Sequence, residues 1–328
     1  TASIVYDKIL PNSINSHVME AAGICRVQGC DFIIGLGGGS TIDSAKAIAV
    51  MACNDGDFWN YVTGGSGKGR PVTKALPIVA IPTTAGTGTE ADPWAVITNE
   101  EKQEKIGFGC SLTFPALSII DPELMISIPP HLTAYQGFDA FFHAAEGFIA
   151  NCATPISDLY ALEAIRLLYK YLPVAVNDGK NLKARAKVAW ASTLAGLVEA
   201  TSSCTSEHSM EHAMSAYYPQ LPHGAGLIAL SEAYFETFRN DCMKRYMKMA
   251  DVMTQQKSNR PSDFIDALAR MKKECHVDNI KLSEWGLKEE DLPKMVQNAR
   301  DTMGGLFTLD PRPLTDDEVL NIYRQSYK

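Results

Sequence analysis

The chain has 328 residues, with 30 Lys and Arg against 38 Asp and Glu, giving a formal net charge of −8. Hydrophobic residues make up 46% and charged residues 21%, which excludes a wholly disordered or fibrous chain. The acidic balance argues against a nucleic-acid binder, and no run approaches the ~18 consecutive apolar residues of a membrane span. At roughly 150 residues per domain, the length allows about two domains, each able to bury a core. The eight cysteines are scattered and form no CxxC pair, so they read as reduced thiols of a cytoplasmic protein.

Short β-branched runs alternate with glycine- or threonine-rich breaks as far as residue 127, which predicts an α/β region with a parallel sheet. Asp31-Phe-Ile-Ile34 leads into Gly35-Leu-Gly-Gly-Gly-Ser40, and a helical pattern covers 43–51. Residues 60–71 are glycine-rich and read as a surface loop. A second strand is expected over 75–81, ending at Pro82-Thr-Thr-Ala-Gly-Thr-Gly-Thr89. Residues 95–98 and 116–120 are further short apolar runs. After Pro129-Pro130 the pattern changes to long 3.6-period segments. Thr133-Ala-Tyr-Gln136 fits a capping box opening a helix to about residue 150. Further helices are expected over 155–172, 181–199, 206–217 and 226–240. The reading is an α/β dinucleotide-binding domain over 1–127 followed by an all-α domain over 128–328.

A strand, Gly37-Gly38-Gly39-Ser40 and a helix together aim backbone N–H groups at an anion. Glycines carry no Cβ, so the main chain can approach a pyrophosphate closely. Gly35-x-Gly37-x-x-Ser40 departs from the dinucleotide fingerprint, with Ser in place of the third Gly. A plainer reading, compatible with the first, is a tight turn with Ser40 as N-cap and Asp43 as its capping-box partner. The threonine loop offers the hydroxyls of Thr83, Thr84, Thr87 and Thr89 at a strand's carboxyl end, where open α/β sheets bind ligands. Its plain alternative is a turn satisfying its own backbone. Two such loops at two strand ends favour a cofactor cleft.

Asp139 and His143 stand i, i+4 on one helix face, with Glu146 one turn on. His208 and His212 repeat that spacing on another helix, and His223 follows between Pro222 and Gly224. A carboxylate with three imidazoles is a standard set for a divalent transition metal, leaving an open position for substrate. Spacing alone lets either His208 or His212 complete the set. A rival is present: His208-Ser-Met-Glu211-His212 matches H-x-x-E-H, a zinc peptidase pattern. It leaves both loops and the Asp139/His143 pair unexplained. A third class is a metal-stapled assembly protein without turnover.

Taken in order, Gly37-Gly-Gly-Ser40-x-x-Asp43-x-Ala45-Lys46, Pro82 to Glu90, Gly137-Phe-Asp139-Ala-Phe-Phe-His143-Ala-Ala-Glu146-Gly147, the His208/His212 pair, Pro222-His223-Gly224 and Pro311-Arg-Pro-Leu-Thr315 resemble the iron-containing (group III) alcohol dehydrogenase family. The resemblance covers nearly the whole chain. It implies that Gly38, Gly39 and Ser40 bind the pyrophosphate, and that Asp43, Thr83, Thr84, Thr87 and Lys105 line the nucleotide and nicotinamide cleft. It further implies that Asp139, His143, His208 and His223 hold Fe2+, with Zn2+ as the alternative. His212 is then left near the nicotinamide and substrate as the candidate proton relay. The implied activity is reversible hydride transfer between a primary alcohol or small diol and NAD or NADP. A small alcohol or aldehyde is the implied partner, and a homodimer or larger homo-oligomer the assembly. Family members begin with a strand and helices that help choose between NAD and NADP, and that segment is expected to lie before Thr1. Glycerol dehydrogenase and dehydroquinate synthase share the fold, but the synthase needs a basic phosphate-binding cluster that residues 139–223 do not offer.

Overall fold

The computed structural model describes residues 2–327. Helix α1 (Asn15–Gln28) precedes strand β1 (Ile33–Gly37), which runs through the glycine loop into α2 (Gly39–Met51). Strands β2 (Ile78–Pro82), β3 (Ala95–Asn99), β4 (Glu104–Phe108) and β5 (Leu117–Ser118) follow. β1, β2 and β5 make a parallel sheet in that order, with Ile33 opposite Ile78 and Val79 opposite Leu117. The β2 strand starts at Ile78, three residues later than the apolar pattern suggests. β3 and β4 form a separate antiparallel ribbon, with Ile97 opposite Ile106. Sequence pattern missed this pairing, because Glu104-Lys-Ile-Gly-Phe108 carries two charges and a glycine and has little β character.

The expected cap at Ser40 is not formed. Gly38 is the N-cap of α2, in extended conformation and without a side-chain cap bond. Ser40 already lies inside the helix, where its Oγ accepts from Asn12 N–H at 3.2 Å and its carbonyl accepts from Ser13 Oγ at 2.8 Å. Asp43 turns inward instead, accepting from Thr89 Oγ1 at 2.7 Å and from Val96 N–H at 2.9 Å. One turn on, Lys46 is fully buried; its Nζ donates to Thr89 Oγ1 (2.7 Å) and to the carbonyls of Asp92 (2.9 Å) and Trp94 (2.6 Å). A buried charge persists only when its donors are used. Here they are used, and they tie α2 to the threonine loop.

The helical half comprises α3 (Pro130–Ile149), α4 (Pro155–Asn177), α5 (Leu182–Thr201), α6 (Ser206–Tyr217), α7 (His223–Thr237), α8 (Met243–Thr254), α9 (Ser262–Glu274), α10 (Leu292–Phe307) and α11 (Asp316–Tyr327). α3 opens at Pro130 rather than at a Thr133 capping box. Proline at the first helical position lacks the N–H that would need a cap and has its φ preset. Thr133 Oγ1 accepts from Arg185 Nη1 at 2.8 Å and sits against the Ile128 and Pro129 carbonyls. α4 passes through Pro173 to Asn177, whose side-chain amide donates to the Pro173 carbonyl at 2.8 Å. α7 begins at His223 itself and stops at Thr237, so its start is three residues before the expected one.

Buried hydrophobics form two clusters, one among the helices from α3 onward and a smaller one around α1, α2, β3 and β4. Met303 of α10 packs against the smaller cluster, so α10 closes over the α/β half. In the loop after α2, Asn60, Tyr61 and Val62 are buried, and the glycine-rich stretch beyond them is largely exposed. Among the described residues, no helix is long and apolar enough to cross a membrane.

Candidate active site

α3 presents Asp139 and His143 from adjacent turns, α6 presents His208, and His223 is the first residue of α7. Donor atoms of Asp139, His208 and His223 lie within 4.8 Å of one another, and His143 joins the group through Asp139. Asp139 Oδ1 lies 3.7 Å from His143 Nε2, 3.5 Å from His208 Nε2 and 3.4 Å from His223 Nε2. The His143 and His208 rings stack at 4.5 Å. Asp139 Oδ1 and His208 Nε2 are both buried without a hydrogen-bond partner. Burial alone would raise the Asp139 carboxyl, but the imidazoles of His143 and His223 hold it well below its ordinary value. One carboxylate oxygen facing three ring nitrogens, two of these atoms unsatisfied, is the donor set a divalent transition metal takes. The residues fit the metal that the sequence implies.

A second layer of carboxylates fixes these side chains. His208 Nδ1 bonds Glu146 Oε1, and Glu146 Oε2 accepts from Thr205 N–H (2.8 Å) and Thr205 Oγ1 (2.9 Å). His223 Nδ1 bonds Glu211 Oε2, which Lys105 Nζ approaches at 3.4 Å. Carboxylates behind imidazoles set the tautomer, so that Nε2 carries the lone pair. His212 is buried beside His223, with ring centres 5.2 Å apart and Nδ1 at 2.8 Å from Met303 Sδ. Its pKa falls well below the ordinary value, first through burial and then through Lys105 and His223.

These groups border one cavity of about 190 Å³, which Ser40, Asp43, Thr87 and Lys105 also line. Both Asp43 oxygens are already held by Thr89 and Val96. Lys105 reaches back to Ser215 (2.8 Å) and Asn12 (3.3 Å). Gly38, Gly39, Thr83 and Thr84 lie beside the cavity, outside its lining. The two loops are in contact: a Cβ at Gly39 would meet Thr87 Cγ2 at 2.4 Å, and one at Gly38 would meet Thr84 Cγ2 at 3.3 Å.

The family model described as "Iron-containing alcohol dehydrogenase" matches residues 1–122, and the one for the "Fe-containing alcohol dehydrogenase family, C-terminal" matches residues 133–327. The chain belongs to the iron-containing alcohol dehydrogenase family. It is 32% identical to alcohol dehydrogenase 4 of Schizosaccharomyces pombe, over 98% of this chain and 75% of that protein. An alcohol dehydrogenase from an archaeal halo-thermophile of a Red Sea brine pool superposes with TM-score 0.94 at 36% identity, covering 98% of this chain and 83% of that one. Sulfoacetaldehyde reductase of Bifidobacterium kashiwanohense, solved with NAD+, gives TM-score 0.85 at 31% identity, over 98% and 83% of the two chains.

As an iron-containing alcohol dehydrogenase, the chain is an oxidoreductase, and the peptidase pattern at 208–212 is set aside. In a peptidase Glu211 would face the open metal position. Here it backs His223. Sequence reasoning missed Glu211 as a support for His223, and it missed Trp94, Glu199, Ser203, Cys204, Met303 and Leu306 among the residues that line the cavity. No motif marks these cavity residues, and they come from the loop before β3, the end of α5, the α5–α6 loop and α10. The one available signal was Glu199, a carboxylate within an otherwise apolar stretch of α5.

Proposed function

We propose that the protein catalyses reversible oxidation of a primary alcohol or small diol to the aldehyde, with NAD or NADP as hydride carrier. Asp139, His143, His208 and His223 would hold Fe2+, or Zn2+ in its place. The observation carrying this reading is the approach of three Nε2 atoms to Asp139 Oδ1 at 3.4–3.7 Å, with Asp139 Oδ1 and His208 Nε2 left unpartnered. Family membership and a relative solved with NAD+ support it. A divalent cation supplies Lewis acidity, lowering the pKa of an alcohol oxygen and polarising an aldehyde carbonyl, and nicotinamide supplies or takes the hydride.

The chain's own residues bind, orient and shield. Gly38 and Gly39 bring the start of α2 against the threonine loop, and Ser40 and Thr87 present hydroxyls along the nucleotide side. Trp94, Val96, Met303 and Leu306 keep much of the cavity wall apolar, which limits water around a transferring hydride. His212 is the proton relay. Its Nδ1 is set against Met303 Sδ, which leaves Nε2 as the atom to take or return the proton. The test is NADH absorbance with short aldehydes, using protein stripped of metal and then reloaded with Fe2+ or Zn2+. Turnover restored by metal supports the reading; full turnover in the stripped protein refutes it.

A further inference from the structure

The Pro311-Arg-Pro-Leu-Thr315 stretch takes no part in the cavity, yet the residue before it reaches the helices that carry the proposed metal site. Helix α6 starts at Ser206 and bears His208 as its third residue, and its N-cap, Thr205, supplies no side-chain cap. The first N–H groups of a helix need acceptors, and here carboxylates from other elements provide them. Glu146 Oε2 accepts from the Thr205 N–H at 2.8 Å, and Asp310 Oδ1 accepts from the Ser206 N–H at 3.0 Å. The same Oδ1 accepts from the Tyr234 hydroxyl of α7 at 3.1 Å. Tyr234 in turn stands 2.8 Å from Thr205 Oγ1, which donates to Glu146, the carboxylate behind His208. The backbone at Asp310 is pinned to the end of α3. Asn151 Nδ2 donates to the Thr308 and Asp310 carbonyls at 2.8 and 3.2 Å, and the Asn151 N–H donates to the Leu309 carbonyl at 2.9 Å.

Helices α3, α6 and α7 carry Asp139, His143, His208 and His223, and all three meet at Asp310. Asp310, Tyr234, Thr205 and Ser206 are buried, so bulk water does not replace a partner that is lost. Resting on the metal-site reading above, we infer that Asp310 is a positioning residue for His208: by holding Ser206 and Tyr234 it fixes the start of α6 and the Thr205–Glu146 bond that orients the imidazole. The side-chain bonds of Asp310 run through Oδ1, and Oδ2 is buried without a partner. Burial raises the carboxyl to about 7, and Oδ1 can accept whether or not the group is ionised. Asp310 therefore acts by acceptor geometry and not by charge. Members of such a buried network depend on one another, so loss of the outer one is felt at the inner one.

The test is competition for Zn2+ with a chromophoric chelator, run beside the melting temperature of the metal-free protein. Asp310→Ala strips the Ser206 N–H and the Tyr234 hydroxyl of their shared acceptor and should weaken Zn2+ binding about tenfold. Asp310→Asn keeps one carbonyl oxygen for both donors and should restore most of that affinity. Tyr234→Phe removes the middle of the chain and should cost about threefold. Tyr246→Phe is the control, because its hydroxyl is equally buried but donates to the Phe235 carbonyl at 2.8 Å, away from α6. It should lower the melting temperature and leave Zn2+ affinity unchanged. A merely structural Asp310 would also lower the melting temperature while leaving Zn2+ affinity in Asp310→Ala within about twofold of the wild type, and that result overturns the inference. So does a loss in Asp310→Asn as large as in Asp310→Ala. Should Asp310→Ala not fold, the two tyrosine variants decide, and equal Zn2+ affinity in both overturns the inference alone. Wild-type protein that binds neither Zn2+ nor Fe2+ overturns the metal-site reading itself.

Discussion

Glu146→Gln isolates the second layer of the proposed metal site. Glu146 serves three donors at once, with Oε1 on His208 Nδ1 and Oε2 on Thr205 N–H and Oγ1. Glutamine has one oxygen. Kept toward Thr205, it turns an NH2 toward His208 Nδ1, so the imidazole must present a lone pair there and carry its proton on Nε2. That is the atom facing Asp139 Oδ1 at 3.5 Å, and a metal would have to displace the proton. Turned the other way, the NH2 confronts the Thr205 N–H in a fully buried setting, at about 1–3 kcal/mol for the unpaired donor. Loss of such an outer partner typically weakens metal binding about 10–100-fold, or about 1.4–2.7 kcal/mol. The assay is competition for Zn2+ with a chromophoric chelator, paired with the thermal shift on metal addition, which should shrink in the variant. A folded Glu146→Gln protein whose Zn2+ affinity lies within about twofold of the wild type refutes the reasoning.

Gly39→Val places a Cβ 2.4 Å from Thr87 Cγ2, so it should force the two loops apart and lower both NADH affinity and melting temperature. Gly38→Ala, at 3.3 Å from Thr84, should keep the fold; a Gly39→Val protein that melts and binds NADH like the wild type counts against the loop contact. His208→Ala should be purified without metal, and His212→Ala should retain it but turn over slowly; metal analysis of the two variants exchanges the roles if the pattern is reversed. Hydrogen bonding from Arg312 holds the Glu318 carboxyl down at about 2 from 4.5, and the pair is about a third exposed. Solvent screening keeps its contribution under ~1 kcal/mol. The folded pKa lies below the unfolded one, so this contribution is present above pH 4.5 and is lost as pH falls through about 2. Glu318→Gln should therefore lower the urea midpoint at neutral pH, with the gap to the wild type closing in acid; a gap independent of pH contradicts this.

What could be read from the sequence followed the reach of local periodicity. The i, i+4 spacings at 139/143 and 208/212 show which side chains share a helix face, and α6 spans the residues its pattern suggests. Spacing does not show which partner stands opposite, so the pairing of His223 with Glu211 and of His208 with Glu146 needed three dimensions. The two expected caps failed for different reasons, one local and one distant in sequence. Pro130 needs no cap, and Asp43 is taken up by Thr89 and Val96, 46 and 53 residues further along the chain. The β3–β4 ribbon was hidden because β4 is charged and glycine-bearing, and its strand identity comes from its partner. The end of the cavity around Glu199 could not be read, because it is assembled from loops and helix ends far apart in the chain.

Anomalous diffraction from crystals loaded with Fe2+ or Zn2+ tests the central claim most directly. The account predicts one peak about 2.0–2.2 Å from an Asp139 oxygen and the Nε2 atoms of His143, His208 and His223. Two other donor groups in the same cavity compete, His143 with Cys204 and His208, and Glu211 with His212 and His223. A peak on either of those, or none at a metal concentration that restores turnover, would contradict it.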